Sequence, residues 1–143
     1  MPITPIDENL IFVYVVVGSV IEKDGKFLLV QEKKPEVRGL WNLPAGKAEK
    51  NLTLEESAIK EAKEETGFDV EIIKQIGIYH KKENKSIKHA YKAKIVGGEL
   101  KIPKDEILDA KWFSFEEIKN LNKQNKVRDD WIFEAIKSQV KKK

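Results

Sequence analysis

The apolar positions of this chain gather first into a dense run, Leu10–Val20, rich in β-branched and aromatic residues. Such a run reads as a buried strand. Phe27–Gln31 (FLLVQ) follows the turn Lys23-Asp24-Gly25-Lys26 and supplies a hairpin partner. From Gln31 to Gly46 the pattern breaks around Pro35, Gly39, Pro44 and Gly46, which predicts mostly loop. A helical period then runs from Thr53 to Thr66. Leu54, Ala58 and Ala62 make one apolar stripe, Thr53 and Glu56 form a capping-box pattern, and Gly67 supplies the stop.

Strand-like runs return near Val70–Tyr79 and His89–Val96. The basic segment Lys81–Lys88 between them reads as an exposed loop within reach of an anionic substrate. Lys111–Phe113 is a last short strand, and Ser114 with Glu117 caps a helix through Leu121. Trp131, Ile132, Ala135, Ile136 and Val140 suit one face of a C-terminal helix, ending in the frayed basic tail Lys141–Lys143. No repeat or linker divides the 143 residues, so one domain over 1–143 is expected. Strands interleaved with a few helices indicate an α/β or α+β layered domain.

Composition narrows the chemistry. A hydrophobic share of 41% suits a proper core and excludes wholesale disorder. The 27 basic and 24 acidic residues leave a formal +3, too mild to argue for DNA wrapping or a polybasic membrane anchor. With no cysteine there is no disulfide, thiolate metal site or cysteine nucleophile. His80 and His89 leave little room for a histidine-rich centre. A bound metal would therefore rest on carboxylates, favouring a hard cation such as Mg²⁺ or Mn²⁺. The N-terminus lacks a basic-then-apolar leader pattern, and the apolar stretch Leu10–Val17 is far shorter than the ~20 residues of a membrane helix. A cytoplasmic, soluble protein without membrane contact is the expectation.

Glu61, Glu64 and Glu65 stand at i, i+3 and i+4 of the predicted helix, within a sector of roughly 100°. On the same wheel Glu65 and Glu61 each lie about 20° from Leu54, on opposite sides of it. Two carboxylates thus border the apolar stripe, where a merely solvated face would lie opposite. Like charges so spaced repel, and a divalent cation would turn the repulsion into coordination. The competing reading is a Glu-rich surface helix, on which Glu56 and Lys60 form an i, i+4 pair.

The glycine loop upstream separates the two. The run WNLPAGKAEKNLTLEESAIKEAKEETGF from Trp41 resembles the Nudix box: glycine, five residues, Glu, seven residues, Arg-Glu, an aliphatic, any residue, Glu-Glu, any residue, glycine, an aliphatic. Gly46, Glu61, Ala62, Glu64, Glu65, Gly67 and Phe68 match, with Phe68 aromatic where the pattern has an aliphatic. Trp41-Asn42-Leu43-Pro44 and Ala110-Lys111-Trp112-Phe113-Ser114 are similar to the family's flanks, and the wider likeness runs from about Val15 to Ile118. Two positions depart. Leu52 replaces the first box Glu, and Lys60 replaces the Arg that in the family pairs with acidic groups and holds the loop to the helix. Lysine keeps that charge but loses the bidentate fork.

The resemblance implies an α/β/α sandwich around a mixed sheet, with the box, Gly46 to Phe68, as loop–helix–loop. It also implies Mg²⁺-dependent hydrolysis of a nucleoside diphosphate linked to another group, by water attack on phosphorus. Position-matching makes Glu61, Glu64 and Glu65 metal ligands, with Glu61 or Glu64 also acting as base. The Ala45 carbonyl and Glu106 are further candidate ligands, Glu106 weighed evenly against a solvated loop acid. Arg38 and Gly46 are candidate substrate contacts, and Lys60 and Gly67 shape the box. Leu40–Gly46 combined with a C-terminal helix after Val127-Arg128 resembles a branch of small phosphatases active on nucleoside di- and triphosphates. A small nucleotide or pyrophosphate partner, a monomer or homodimer, and no stable nucleic-acid complex are expected. Two other readings stay open: a nucleotide-binding module without catalysis, motivated by Leu52 and Lys60, and an RNA 5′-end pyrophosphohydrolase.

Overall fold

The structure is a computed structural model that describes residues 8–83 and 85–140; the tail predicted at 141–143 lies outside the described residues. Its elements run β1 (Tyr14–Lys23), β2 (Lys26–Glu32), β3 (Trp41–Asn42), β4 (Ala45–Lys47), α1 (Leu54–Thr66), β5 (Phe68–Tyr79), β6 (Ser86–Gly98), β7 (Ile107–Phe113), α2 (Phe115–Lys123) and α3 (Asp130–Lys137).

The predicted β1–β2 hairpin closes through Asp24 and Gly25, with φ of 53° and 77°. Both central residues are left-handed, as a tight hairpin with right-twisted strands requires. β1 starts later than the apolar run suggests. Its parallel ladder with β6 begins at Tyr14 opposite Ser86, so Leu10, Ile11 and Phe12 precede the ladder and are exposed. Beyond Tyr14 the side of β1 away from β6 pairs first with β4 and then, at its far end, with β2. β7 and β3 both pair with β2, and β5 pairs with β6. The sheet is thus mixed, seven-stranded, with β3-β2-β1-β6-β5 as its main path.

Both faces of this sheet are covered. Phe27 and Leu29 pack with Ile118, Trp131, Ile132 and Ile136 from α2 and α3 on one side. Leu28, one residue out of phase, packs with Ala62, Ile21 and Val70 on the side of α1. Alternation along one strand therefore feeds two cores, and Leu28, Leu29 and Val30 are fully buried. The expected α/β/α sandwich is what forms. α1 rests on the sheet through small residues, Ser57, Ala58 and Ala62, which brings its backbone close. Both predicted capping boxes are present, at Thr53–Glu56 and Ser114–Glu117. α3 ends at Lys137, earlier than the apolar pattern suggested; Val140 still packs on the core from beyond the helix.

Two corrections bear on the site. The stretch between Gln31 and Gly46 contains the short strands β3 and β4, locked by pairing with longer neighbours rather than by their own propensity. The segment read as an exposed loop up to Lys88 gives residues 86–88 to β6, and Lys88 is buried.

Candidate active site

β4 lies across the N-terminal half of β1, with Val17 opposite Gly46 and Gly18 opposite Ala45. α1 runs beneath it, and its two flank carboxylates meet β4 directly. The Ala45 amide donates to Glu65 Oε1 at 2.7 Å. The Glu61 carboxyl lies so close to Gly46 that a Cβ built there would be 2.3 Å from Glu61 Cδ. Glycine at this position thus serves the carboxylate beside it. The wheel geometry holds: Glu61 and Glu65 are half-buried and Glu64 is exposed.

Burial is the main force on both inner acids. It pushes Glu61 up to about 7, with the charges of Glu64 and Glu49 adding to it. It pushes Glu65 up to about 8; the Ala45 hydrogen bond opposes the rise, while Glu61, Glu32 and Glu106 reinforce it. These carboxylates resist ionisation because their charged forms lack water and repel one another. Glu64 points elsewhere, 3.4 Å from Lys60 Nζ. Among the described residues the acids are accordingly not drawn into a closed cation nest. Their donor set, all hard oxygen, nevertheless suits Mg²⁺ or Mn²⁺, and two of them sit where a dication would relieve the repulsion.

The departure at Leu52 and Lys60 resolves into one contact. Lys60 Nζ donates to both oxygens of Glu49, at 2.8 and 2.6 Å. The Glu49 amide donates to Ser57 Oγ at 3.0 Å, so backbone and side chain of Glu49 both fasten the loop to α1. Leu52 is exposed. The expected Glu56–Lys60 pair does not form, because Glu56 spends its carboxylate on the Thr53 amide as part of the cap. Gly67 terminates α1 in the left-handed region, φ 82°, as predicted.

A cleft of about 1190 Å³ opens over the inner acids. Arg38, Ala45, Gly46, Glu61, Glu65 and Glu106 line it, so the structure brings together most of the residues predicted for the site. Glu64, Lys60 and Gly67 stand outside that lining. Arg38 reaches back to the Lys33 carbonyl at 3.4 Å, and Lys33 Nζ ties its own loop to the Lys104 carbonyl at 2.8 Å, beside Glu106.

The cleft also holds residues that were not among the predicted site residues. Glu32 is buried and its Oε1 accepts from Asn42 Nδ2 and Arg128 Nη1, both at 3.0 Å. Asn42 Oδ1 is buried without a hydrogen-bond partner among the described residues. Lys88, Asp129 and Trp131 line the cleft too. Glu32 shares the parity of Leu28 and Val30, which was the one signal pointing it inward.

The NUDIX domain profile matches residues 12–134. The chain belongs to the Nudix family. It is 34% identical over 113 residues to the ADP-ribose pyrophosphatase of Methanocaldococcus jannaschii, covering 76% of this chain and 64% of that one. It is 32% identical over 120 residues to putative nudix hydrolase 1 of Caenorhabditis elegans, covering 81% of this chain and 33% of that one. The chain thus spans about one third to two thirds of the length of these curated relatives. A crystal structure of a NUDIX hydrolase from Nitrosomonas europaea superposes with a TM-score of 0.79 at 28% identity, over 90% of this chain and 70% of that one. The Nudix loop–helix–loop is therefore the segment that joins β4, α1 and the start of β5. Among the described residues no helix is long and apolar enough to cross a membrane.

Proposed function

We propose that this chain hydrolyses the P–O–P linkage of small nucleoside diphosphate derivatives, nucleoside di- and triphosphates included. The observation that carries the reading is the pair of half-buried acids that meet the backbone of β4 at Ala45 and Gly46, whose ionisation burial and mutual repulsion make costlier. Glu61, Glu65 and Glu64, with the Ala45 carbonyl and Glu106, are the residues that would hold a hard dication, which when bound would neutralise phosphoryl charge and make the attacking water more acidic. Water oxygen bonds to phosphorus, the bridging P–O bond breaks, and the leaving phosphate keeps the electron pair. Glu61 or Glu64 takes the proton released by the water. Arg38, at the cleft wall, bears phosphate charge. A small nucleotide suits this cleft better than an RNA end, because acids such as Glu32, Glu49, Asp105 and Asp129 share its lining with the lysines and arginines.

The similar ADP-ribose pyrophosphatase supports the same bond class, a diphosphate bridge attached to a nucleoside. The Glu49–Lys60 pair counts against the binding-only reading, since it replaces the contact whose loss motivated that reading. The test is a nucleotide panel with Mg²⁺ in ¹⁸O-labelled water. Turnover should require the metal, place the label in a phosphate product, and fall at least about 100-fold in Glu64→Gln and Glu65→Gln. Wild-type turnover in both variants would remove the acidic helix from the mechanism.

A further inference from the structure

Among the described residues Lys88 is the one lysine or arginine in the buried class, its side chain only 10% exposed. It sits within the sheet, opposite Val16 of β1 on one side and Tyr79 of β5 on the other. Its nearest carboxylate, Asp129 Oδ2, is 3.8 Å away, beyond hydrogen-bond range. Asp129 is meanwhile engaged elsewhere: Oδ1 accepts from the Asp130 amide at 2.7 Å, at the start of α3, and lies 3.9 Å from Lys81 Nζ. Most of the side chain is enclosed, but its nitrogen is not one of the fully buried polar atoms that lack a partner, so its three donors open onto the cleft. Lys88 therefore offers the cleft a charge that Asp129 approaches without a hydrogen bond.

The location says what this charge is for. Lys88, Asp129 and Trp131 line the main cleft and also a second cavity of about 400 Å³, so they stand between the two. The second cavity presents the rings of Tyr79 and Trp131, 6.2 Å apart and tilted by 37°. Aromatic walls with a few polar groups suit a flat heterocycle. One end of the combined space can hold a P–O–P group, the middle offers a single point charge, and the other end offers aromatic surface.

We propose that Lys88 binds a phosphoryl oxygen of the substrate next to the scissile bridge, and that the attached nucleoside enters the cavity walled by Tyr79 and Trp131. The inference rests on the function proposed above and extends it to the substrate's orientation. An oxyanion satisfies the unmet donors through a charge-assisted bond, and the ammonium suits one oxygen where a guanidinium fork would seek two.

The test is calorimetric titration of the full chain, in Mg²⁺, with α,β-methylene-ADP, inorganic pyrophosphate and adenosine. Lys88→Met should weaken the methylene analogue and pyrophosphate 10- to 100-fold and leave adenosine within twofold. Lys88→Arg should recover most of the affinity for the analogue. Steady-state assays should show KM raised and kcat changed less than fivefold in Lys88→Met. Ile78→Trp, which crowds the second cavity from an exposed strand position, should weaken the analogue and spare pyrophosphate. Should Lys88→Met fail to fold, Lys88→Gln carries the same expectation. Unchanged affinity for the analogue would overturn the assignment, as would equal losses for adenosine and the analogue, which would place Lys88 on the nucleoside. If the wild-type chain hydrolyses nucleotides but Lys88→Met matches it throughout, only the Lys88 assignment fails. If the wild type binds neither analogue nor pyrophosphate, the proposed function fails with it.

Discussion

Gly46→Ala isolates the geometry of the inner acids. Gly46 does not have a positive φ, so alanine meets no backbone penalty there. It meets the Glu61 carboxyl instead, with the new Cβ 2.3 Å from Cδ and 2.5 and 2.7 Å from the two oxygens. Carbon atoms rest at roughly 3.5 Å, so the carboxyl must retreat by about 1.2 Å. The side chain yields rather than the strand, because Gly46 is fixed in the ladder opposite Val17. Misplacement of a catalytic group by about 1 Å costs on the order of 100-fold in rate, equivalent to about 2.7 kcal/mol of barrier. Stability should fall by no more than about 1 kcal/mol, since only the end of a flexible side chain moves. Steady-state kinetics over a Mg²⁺ series, paired with thermal melts, separates the effects: kcat should drop and the Mg²⁺ requirement rise while the melting point stays close to wild type. Turnover within threefold of wild type would refute the reasoning. So would a drop of many degrees in the melting point, which would mean that the strand gives way.

The raised acids set a pH dependence for the metal-free protein. Between about 4.5 and 8 the folded state holds protons on Glu61 and Glu65 that the unfolded chain has released, so stability should fall as pH rises through that window, and Glu65→Gln should flatten the slope. Melts in EDTA from pH 5 to 8.5 check the sign. Mg²⁺ added at pH 7 should release protons, because coordination needs the ionised carboxylates; titration in weak buffer reads this directly. Gly67→Ala should destabilise by about 2–3 kcal/mol in urea unfolding, since φ is 82° and the new Cβ would meet the Glu99 carbonyl oxygen at 2.2 Å. Glu49→Ala should lower kcat roughly 10-fold with little change in melting point, and adding Leu52→Glu should restore much of it by returning an acid to the exposed loop.

Helical periodicity was strong enough to place α1, its cap and the inward lean of Glu61 and Glu65, because thirteen helical residues average over local ambiguity. Strand register carried less information. Residues 86–88 read as loop because they continue the basic, polar segment that starts at Lys81; they become strand because β1 offers a parallel ladder from Tyr14 onward. That pairing drew Lys88 inward, and nothing local in Ser86-Ile87-Lys88 announces it. β3 and β4 are similar cases, two and three residues long, formed by the neighbours that bind them. Arg128 and Asp129 escape a sequence reading for another reason. Val127 bridges to Trp41, and the Arg128 amide donates to the Trp41 carbonyl at 2.9 Å, bringing a C-terminal segment beside the Glu32–Asn42 pair across a long sequence separation.

The substitutions at Leu52 and Lys60 show why a motif position and a physical role are separable. A pattern read along the sequence demands an acid at one place and an arginine at another, and both are missing here. What the loop needs is a cation on α1 opposite an anion at the loop's turn. Asn51 adopts φ 72°, a left-handed turn that asparagine tolerates, and the chain folds back so that Glu49 faces Lys60. The acid has moved three positions upstream and the partner has shortened to an ammonium, yet both oxygens of Glu49 are engaged. The same ammonium lies 3.4 Å from Glu64. Lys60 thus holds the loop through one carboxylate and lies beside a second, Glu64, for which a bound dication would compete. Under the proposed function, turnover would require a dication to win Glu64 from Lys60, and Glu49 would favour that outcome by keeping Lys60 occupied.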